Sequence, residues 1–399
     1  MTTSTNAVSG QRKVLLIAST DSYLKWVAAT ASKLPNGFEF DLVQLRSSQN
    51  PSRRQIDVAL LDTAFEGTVP RVISLSSLKR YVANTKPELV VLGVTGPSIE
   101  LVRLALDGNS TTRSIPLISG FPGIAIGQPA EWTRRKALVD ILIAQSLEER
   151  KIFENRVAGF GMATKVSLGT FPFTGSPSPL NAEVSRIVFA AQPSVPPAKA
   201  ERAVILSALE ELAVSRPDLQ VVVKVRGNPN DPQTHHEEFS YQELHREFHP
   251  NGRVQFEGGS MMAALEPEGS ALLTVSSTAV LEAIHLGKPA ALIGDFGIRA
   301  DLSNKMFEGS DLFIELGDLE KIQLVRANKQ WLEYNYFHLD KLNDLAETIT
   351  NLGPSSRSAL PIKALAQPHV ISEAFRLYLP KGLANFLIAL LTRFKKEEQ

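Results

Sequence analysis

Ser276-Ser277-Thr278 followed by Glu282 places a great deal of potential chemistry within seven residues. The group lies in Ala271 to Gly294, ALLTVSSTAVLEAIHLGKPAALIG, which reads as an apolar strand, a hydroxyl turn, a helix, Gly-Lys-Pro and a second apolar strand. A strand that ends in small hydroxyl residues at a helix start presents backbone N–H groups and the positive end of the helix, where a phosphate can sit. Glu282 falls one turn beyond the cap, and a carboxylate there accepts hydrogen bonds from ribose hydroxyls. The segment is therefore a candidate nucleotide or sugar-nucleotide site. The plainer reading is a helix cap, for which Ser and Thr are favoured residue types.

Earlier in the same half, Lys224 and Arg226 alternate with Val225 at the end of LQVVVKVRG, so they point to one face of a strand. Two cations at a strand's carboxyl edge can pair with a diphosphate, Arg as a planar fork and Lys as a point charge. The polar run Gln233 to Glu238 follows, and Thr234 and His235 in it are candidate contacts to a donor base, ribose or sugar. His-His-Glu-Glu without a further ligand at helical spacing is a weak metal signal, and no metal is expected.

In the first half, the candidate general bases are Asp21, just after the first apolar run, and Asp62, just after the run ending at Leu61. Either carboxylate equally suits a helix cap. Thr95-Gly96 after LVVLG, and Gly120 to Gly123 after IPLIS, are Gly-containing turns that also end apolar runs. Their spacing is not the G-x-G-x-x-G of dinucleotide sites.

Positioning these residues requires strands that end at a common edge. The apolar run Lys13–Ala18 leads into Ser19-Thr20-Asp21 and a helical pattern. Further runs at Phe38–Leu45, Val58–Leu61, Leu89–Val94 and Ile115–Ser119 alternate with helical stretches, the pattern of a parallel sheet covered on both faces. Pro, Ser and Gly then crowd Thr170 to Asn181, a linker composition. A second alternation follows, with strands at Arg186–Ala191, Leu219–Val225, Val254–Phe256, Ala271–Val275 and Leu312–Glu315, and a helix at Lys199–Arg216. The sequence thus predicts a disordered tail (1–12), a first domain (13–170), a linker (171–182), a second domain (183–330) and C-terminal helices (331–399) that return over the domains.

With 399 residues, the chain exceeds the usual size of a single core, and an apolar fraction of 43% is ample for two. Lys plus Arg equals Asp plus Glu at 42 each, so no overall charge favours nucleic acid. Cysteine is absent, which excludes disulfides and thiolate metal sites and fits a cytoplasmic protein. The polar N-terminus lacks the apolar core of a secretory signal. Leu383 to Phe394, LANFLIALLTRF, runs into Lys395 and Lys396. It reads either as an interfacial membrane anchor or as a helix packing back on a domain, and its short length favours packing.

Two α/β halves, a nucleotide-type site late in the second, and a returning C-terminal helix resemble the GT-B fold of glycosyltransferases. That fold has two Rossmann-like doubly wound domains facing across a cleft. DSYLKW, VVVKVRG, QTHHEEFSY and SSTAVLEAIHLGKP are similar to motifs of a bacterial glycosyltransferase family with no assigned reaction. A more distant likeness is to bacterial sialyltransferases, polysialyltransferases and capsule transferases, in which a basic residue or His-Pro and a later Ser pair hold the donor phosphates. Here no His-Pro follows Arg226; His249-Pro250 reads as a turn.

The resemblance implies a glycosyltransferase that needs no cofactor. Its nucleotide-sugar donor, a CMP-linked acidic sugar by the nearest likenesses, with UDP and GDP donors left open, would lie on Lys224, Arg226, Thr234, His235, Ser276, Ser277, Thr278 and Glu282. A glycan or lipid-linked acceptor would lie by Thr95, Gly96, Gly120 and Gly123, at the inner face of the membrane. Two other readings remain: a sugar-nucleotide epimerase of the same two-domain type, and a non-catalytic relative that binds a nucleotide or glycan.

Overall fold

Val14 to Ala18 are almost wholly buried, as expected of a strand covered on both faces at the centre of a parallel sheet. The computed structural model describes residues 12–171, 178, 183–225, 237–361 and 366–397, with side chains to residue 391. The predicted linker lies largely outside these residues, and the predicted tail almost wholly so. Seven parallel strands form the first sheet: β1 (Arg12–Ala18), β2 (Phe38–Leu45), β3 (Arg71–Ile73), β4 (Leu89–Gly93), β5 (Leu117–Ser119), β6 (Ile141–Ala144) and β7 (Lys165–Leu168). Their order is β3-β2-β1-β4-β5-β6-β7.

The second sheet has six: β8 (Arg186–Ala190), β9 (Gln220–Lys224), β10 (Gln255–Glu257), β11 (Ser270–Thr274), β12 (Ala290–Ile293) and β13 (Phe313–Ile314). It is ordered β10-β9-β8-β11-β12-β13, so both sheets share one doubly wound topology. All pairs are parallel, with Leu16 opposite Leu42 in the first sheet and Leu272 opposite Val188 in the second.

Amphipathic helices cover both faces of each sheet. Leu24, Trp26 and Val27 from the helix Asp21–Ala31 pack on one face of the first sheet, and Val102 and Leu106 from the helix Gly96–Asp107 pack on the other. In the second sheet, Ile205 and Leu209 from Lys199–Ser215 cover one face and Val280 and Ala283 from Ala279–His285 the other.

One predicted strand is overturned. Val58 to Leu60 belong to the helix Arg53–Leu60, started by a capping box in which Ser52 and Gln55 bond reciprocally. Its buried residues, Ile56, Ala59 and Leu60, follow helical spacing. Three strands not expected from the sequence are β3, β6 and β7, each of only three or four residues.

The C-terminal region spans both sheets. Trp331 and Tyr336 complete the second domain's core, whereas Leu345 and Ile349 join Trp26 in the first. Val370 and Leu377, from the helix Pro368–Tyr378, pack on the opposite face of the first sheet.

Candidate active site

In each sheet the strand order turns back beside the first strand, β1 in one and β8 in the other. Connections from that point leave to opposite faces, so the turns at the carboxyl ends diverge and open a crevice. Ser19 to Asp21 and Val94 to Gly96 border this point in the first sheet, and Ala191 to Pro196 and Val275 to Thr278 border it in the second. The candidate phosphate turn therefore stands at the strand edge where ligands bind in this topology.

The hydroxyls of that turn are partly engaged. Ser276 Oγ donates to the Ser303 carbonyl (2.7 Å), and Ser277 Oγ accepts from the Ala279 N–H (3.2 Å). Thr278 stands at the N-cap position of the helix Ala279–His285 without a side-chain capping bond. The turn is therefore a cap in part, made by Ser277. Gln192 Nε2 donates to the Ser276 carbonyl (3.1 Å), joining the turns after β8 and β11 across the crevice.

Glu282 is the focal group. Its side chain is only 9% exposed, and Oε1 lies 3.3 Å from Lys25 Nζ on the helix Asp21–Ala31 of the first domain. Its second oxygen, Oε2, is buried and has no hydrogen-bond partner. A buried polar atom left without a partner costs about 1–3 kcal/mol, which a ligand hydroxyl can offset. Gly123 also reaches across the cleft: a Cβ there would stand 3.4 Å from the Thr278 methyl.

Asp21 opens the helix directly after β1, and Lys25 is one turn further along the same face. Lys25 reaches Glu282, which sets Asp21 at the edge of the same cleft, half-buried and bonded by the Ser22 hydroxyl. Asp62 does not. It follows the C-terminal end of the helix Arg53–Leu60, which returns the chain to the amino-terminal edge of the sheet, and its φ of 58° belongs to a left-handed turn. Asp62 is exposed there, and its N–H donates to Glu66 Oε2 (3.1 Å), so it cannot serve as a base in the cleft.

Lys224 ends β9, but it is 4% exposed and not a solvated strand end; its Nζ donates to the Val225 carbonyl (2.8 Å). Arg226, Thr234 and His235 lie outside the described residues. Among the described residues no three His, Asp or Glu side chains are gathered as metal ligands.

The acceptor-side turns are held by their own chain. Thr95 Oγ1 donates to Glu373 Oε1 (2.8 Å), and the Glu373 carboxylate also accepts from Ser98 Oγ. A Cβ on Gly96 would meet Arg135 Cβ at 2.8 Å, and one on Gly120 would meet the Trp26 indole at 2.5 Å. These two glycines thus admit neighbouring side chains.

Several residues that hold the site gave no sequence signal of their own. Arg202, 1% exposed, donates to the carbonyls of Gln192, Pro193, Pro196 and Phe239 and to Glu237, fixing the turn after β8. Glu149 accepts from the N–H groups of Ala125 and Gln145 and from the Tyr336 hydroxyl, and burial raises its pKa above the usual carboxylate value. Lys136 donates to the Val94 carbonyl and lies 4.4 Å from the Tyr23 ring centroid; burial drives its pKa well below the usual lysine value. Lys25, by contrast, belongs to DSYLKW and was within reach of sequence reasoning through its spacing from Asp21.

Residues 14–352 match the family described as "Putative glycosyltransferase (DUF6716)". The chain belongs to that family. No protein of curated function matches it. Among solved structures, an S. aureus MnaA–UDP co-structure matches with a TM-score of 0.54 and 13% identity, over 85% of this chain and 95% of that one. UDP-GlcNAc 2-epimerase from Neisseria meningitidis, bound to UDP-GlcNAc, matches with a TM-score of 0.53 and 14% identity, over 85% of this chain and 98% of that one.

The fold is of GT-B type, two parallel-sheet α/β domains, as the sequence predicted. The family match includes Asp21, Lys25, Ser276 and Glu282, whereas the helix that carries Glu373 lies beyond its last residue.

Proposed function

We propose that this member of the DUF6716 family transfers a sugar from a nucleotide-sugar donor to a cell-envelope glycan or lipid-linked acceptor in the cytoplasm. The observation that carries the reading is Glu282. This buried carboxylate stands one turn behind the Ser276–Thr278 turn, is tied to the first domain by Lys25, and keeps one oxygen without a partner. In this reading the donor ribose donates a hydroxyl to Glu282 Oε2 while its phosphates meet the turn ahead of the helix and the positive charge of Lys224. Structures sharing the fold hold UDP or UDP-GlcNAc, which supports a nucleotide at this place.

The reaction breaks the bond between the anomeric carbon and the leaving phosphate oxygen and forms one to an acceptor hydroxyl oxygen. Asp21, at the opposing edge, takes the acceptor proton. The nucleotide leaves with the bonding electron pair, and its charge is met by cationic side chains and backbone dipoles. An epimerase instead needs acid and base carboxylates together in the cleft. The family's description as a glycosyltransferase favours transfer.

The test is thermal stabilisation by CMP, CDP, UDP, GDP and their sugars, for the wild type and Glu282→Ala. A ligand at about a hundred times its dissociation constant adds about 2.7 kcal/mol. Stabilisation by one nucleotide, lost in the variant, supports the site and names the donor, setting the CMP expected from sequence against UDP. Product analysis with and without acceptor then separates transfer from epimerisation. Stabilisation by none of the panel rejects the reading.

A further inference from the structure

The helix Lys381–Glu397 packs against the preceding helix Pro368–Tyr378, to which it turns its buried Ala384. Its outer side carries the exposed Leu383 and Phe386, with the half-buried Leu387 and Leu390 at the spacing of the same helical face. Leu383 is 48% exposed and Phe386 61%, and Tyr378, at the end of the preceding helix, is 56% exposed. Leu383, Phe386 and Tyr378 thus leave an uncovered apolar patch along the stripe. The terminal helix packs on the preceding helix rather than on a domain, and this packing leaves that face uncovered.

Charge identifies what covers it. Between Phe375 and Lys396 the sequence carries five cations, Arg376, Lys381, Arg393, Lys395 and Lys396, and no acidic residue. Glu373 precedes the run and bonds Arg376, and Glu397 and Glu398 follow it, so from Glu373 to Gln399 five cations meet three acidic residues, a local excess of positive charge in a chain balanced at 42 against 42. An apolar stripe flanked by cations matches an anionic lipid surface, with the stripe among the upper acyl chains and the cations at the head groups. A second copy fits less well, because a two-fold pairing would set one net positive segment against another. Among the described residues no helix is long and apolar enough to cross a membrane, so this helix would lie along the surface.

Its anchorage gives the docking a direction. Glu373 is bound by Thr95 and Ser98 at the turn after β4, and the Arg376 carbonyl accepts from the Ser48 N–H (2.7 Å) in the turn after β2. Both turns belong to the carboxyl edge of the first sheet, the edge that borders the cleft. We infer that the helix Lys381–Glu397 docks the protein on an anionic membrane surface beside the acceptor side of the cleft.

The test is co-sedimentation of the full chain with phosphatidylcholine vesicles, with and without phosphatidylglycerol, at low and moderate salt. The expected result is binding only to vesicles containing phosphatidylglycerol, weakened by salt. The paired variants Leu383→Glu with Phe386→Glu, and Lys395→Glu with Lys396→Glu, should each lower partitioning by about tenfold or more. Unchanged melting temperature and nucleotide stabilisation in both pairs show that the fold is intact. Vesicle binding is read without donor or acceptor, so its outcome is separate from that of the transferase reading. No binding to anionic vesicles, equal binding by wild type and both pairs, or a dimer that dissociates in the Leu383 and Phe386 pair overturns the inference.

Discussion

Lys25 Nζ and Glu282 Oε1 stand 3.3 Å apart although 257 positions separate them in the chain. One belongs to the helix after β1 of the first sheet, the other to the helix behind the second sheet's hydroxyl turn. The pair thus joins the two domains at the carboxylate proposed to meet the donor. Because Lys25 remains 37% exposed, solvent screens the attraction, and the value of the contact lies in geometry more than in stability.

If both residues act through one donor site, Lys25→Met and Glu282→Gln will not be additive. Their effects on donor affinity should show a coupling of about 0.5–3 kcal/mol in a double-mutant cycle measured by titration calorimetry. Additive losses would separate the two residues.

Asp21→Asn keeps the shape of the side chain and removes its basicity. With Asp21 as the base, kcat should fall by about 10²–10⁴ while donor affinity stays within a factor of two or so. A parallel loss of donor binding would make Asp21 a binding residue.

Gly120→Ala drives a methyl to within 2.5 Å of the Trp26 indole, which is fully buried. Overpacking of this kind costs about 1–3 kcal/mol, so the first domain should unfold at lower urea than in the wild type. An unchanged midpoint would mean that the indole moves freely.

Burial lowers the folded-state pKa of Lys136 well below its ordinary value of 10.5. Between those two values the unfolded chain binds one more proton than the folded chain, so the stability contributed by Lys136 rises with pH through that window and is lost as pH falls. Relative to Lys136→Met, the wild type should therefore gain stability between neutral pH and about pH 10. Urea unfolding of both proteins at the two pH values measures this, and a constant difference would exclude a depressed pKa.

The sequence made the architecture legible wherever strands were long. β1 and β4 are apolar runs buried on both faces, and so are the strands that carry Lys224 and the Ser276 turn, while β2 is buried only toward its end. It failed at β3, β6 and β7, whose three or four residues carry no periodicity of their own, and at Val58 to Leu60, where a helical face was read as a run. The same error misplaced Asp62, since a residue after a helix sits at the opposite edge from one after a strand. Arg202, Glu149 and Glu373 escaped notice because no local pattern marks a guanidinium that collects carbonyls from a neighbouring loop or a carboxylate held by hydroxyls from distant parts of the chain.

Leu345, Ile349, Val370 and Leu377 fill the first domain's core from positions beyond the entire second sheet. During synthesis from the amino terminus, the seven-stranded sheet emerges with gaps on both faces that close only when the last sixth of the chain has left the ribosome. The second domain meets no such delay beyond Trp331 and Tyr336. The domain made first is thus the one completed last, and a nascent chain halted before residue 345 would expose apolar surface that the finished protein hides.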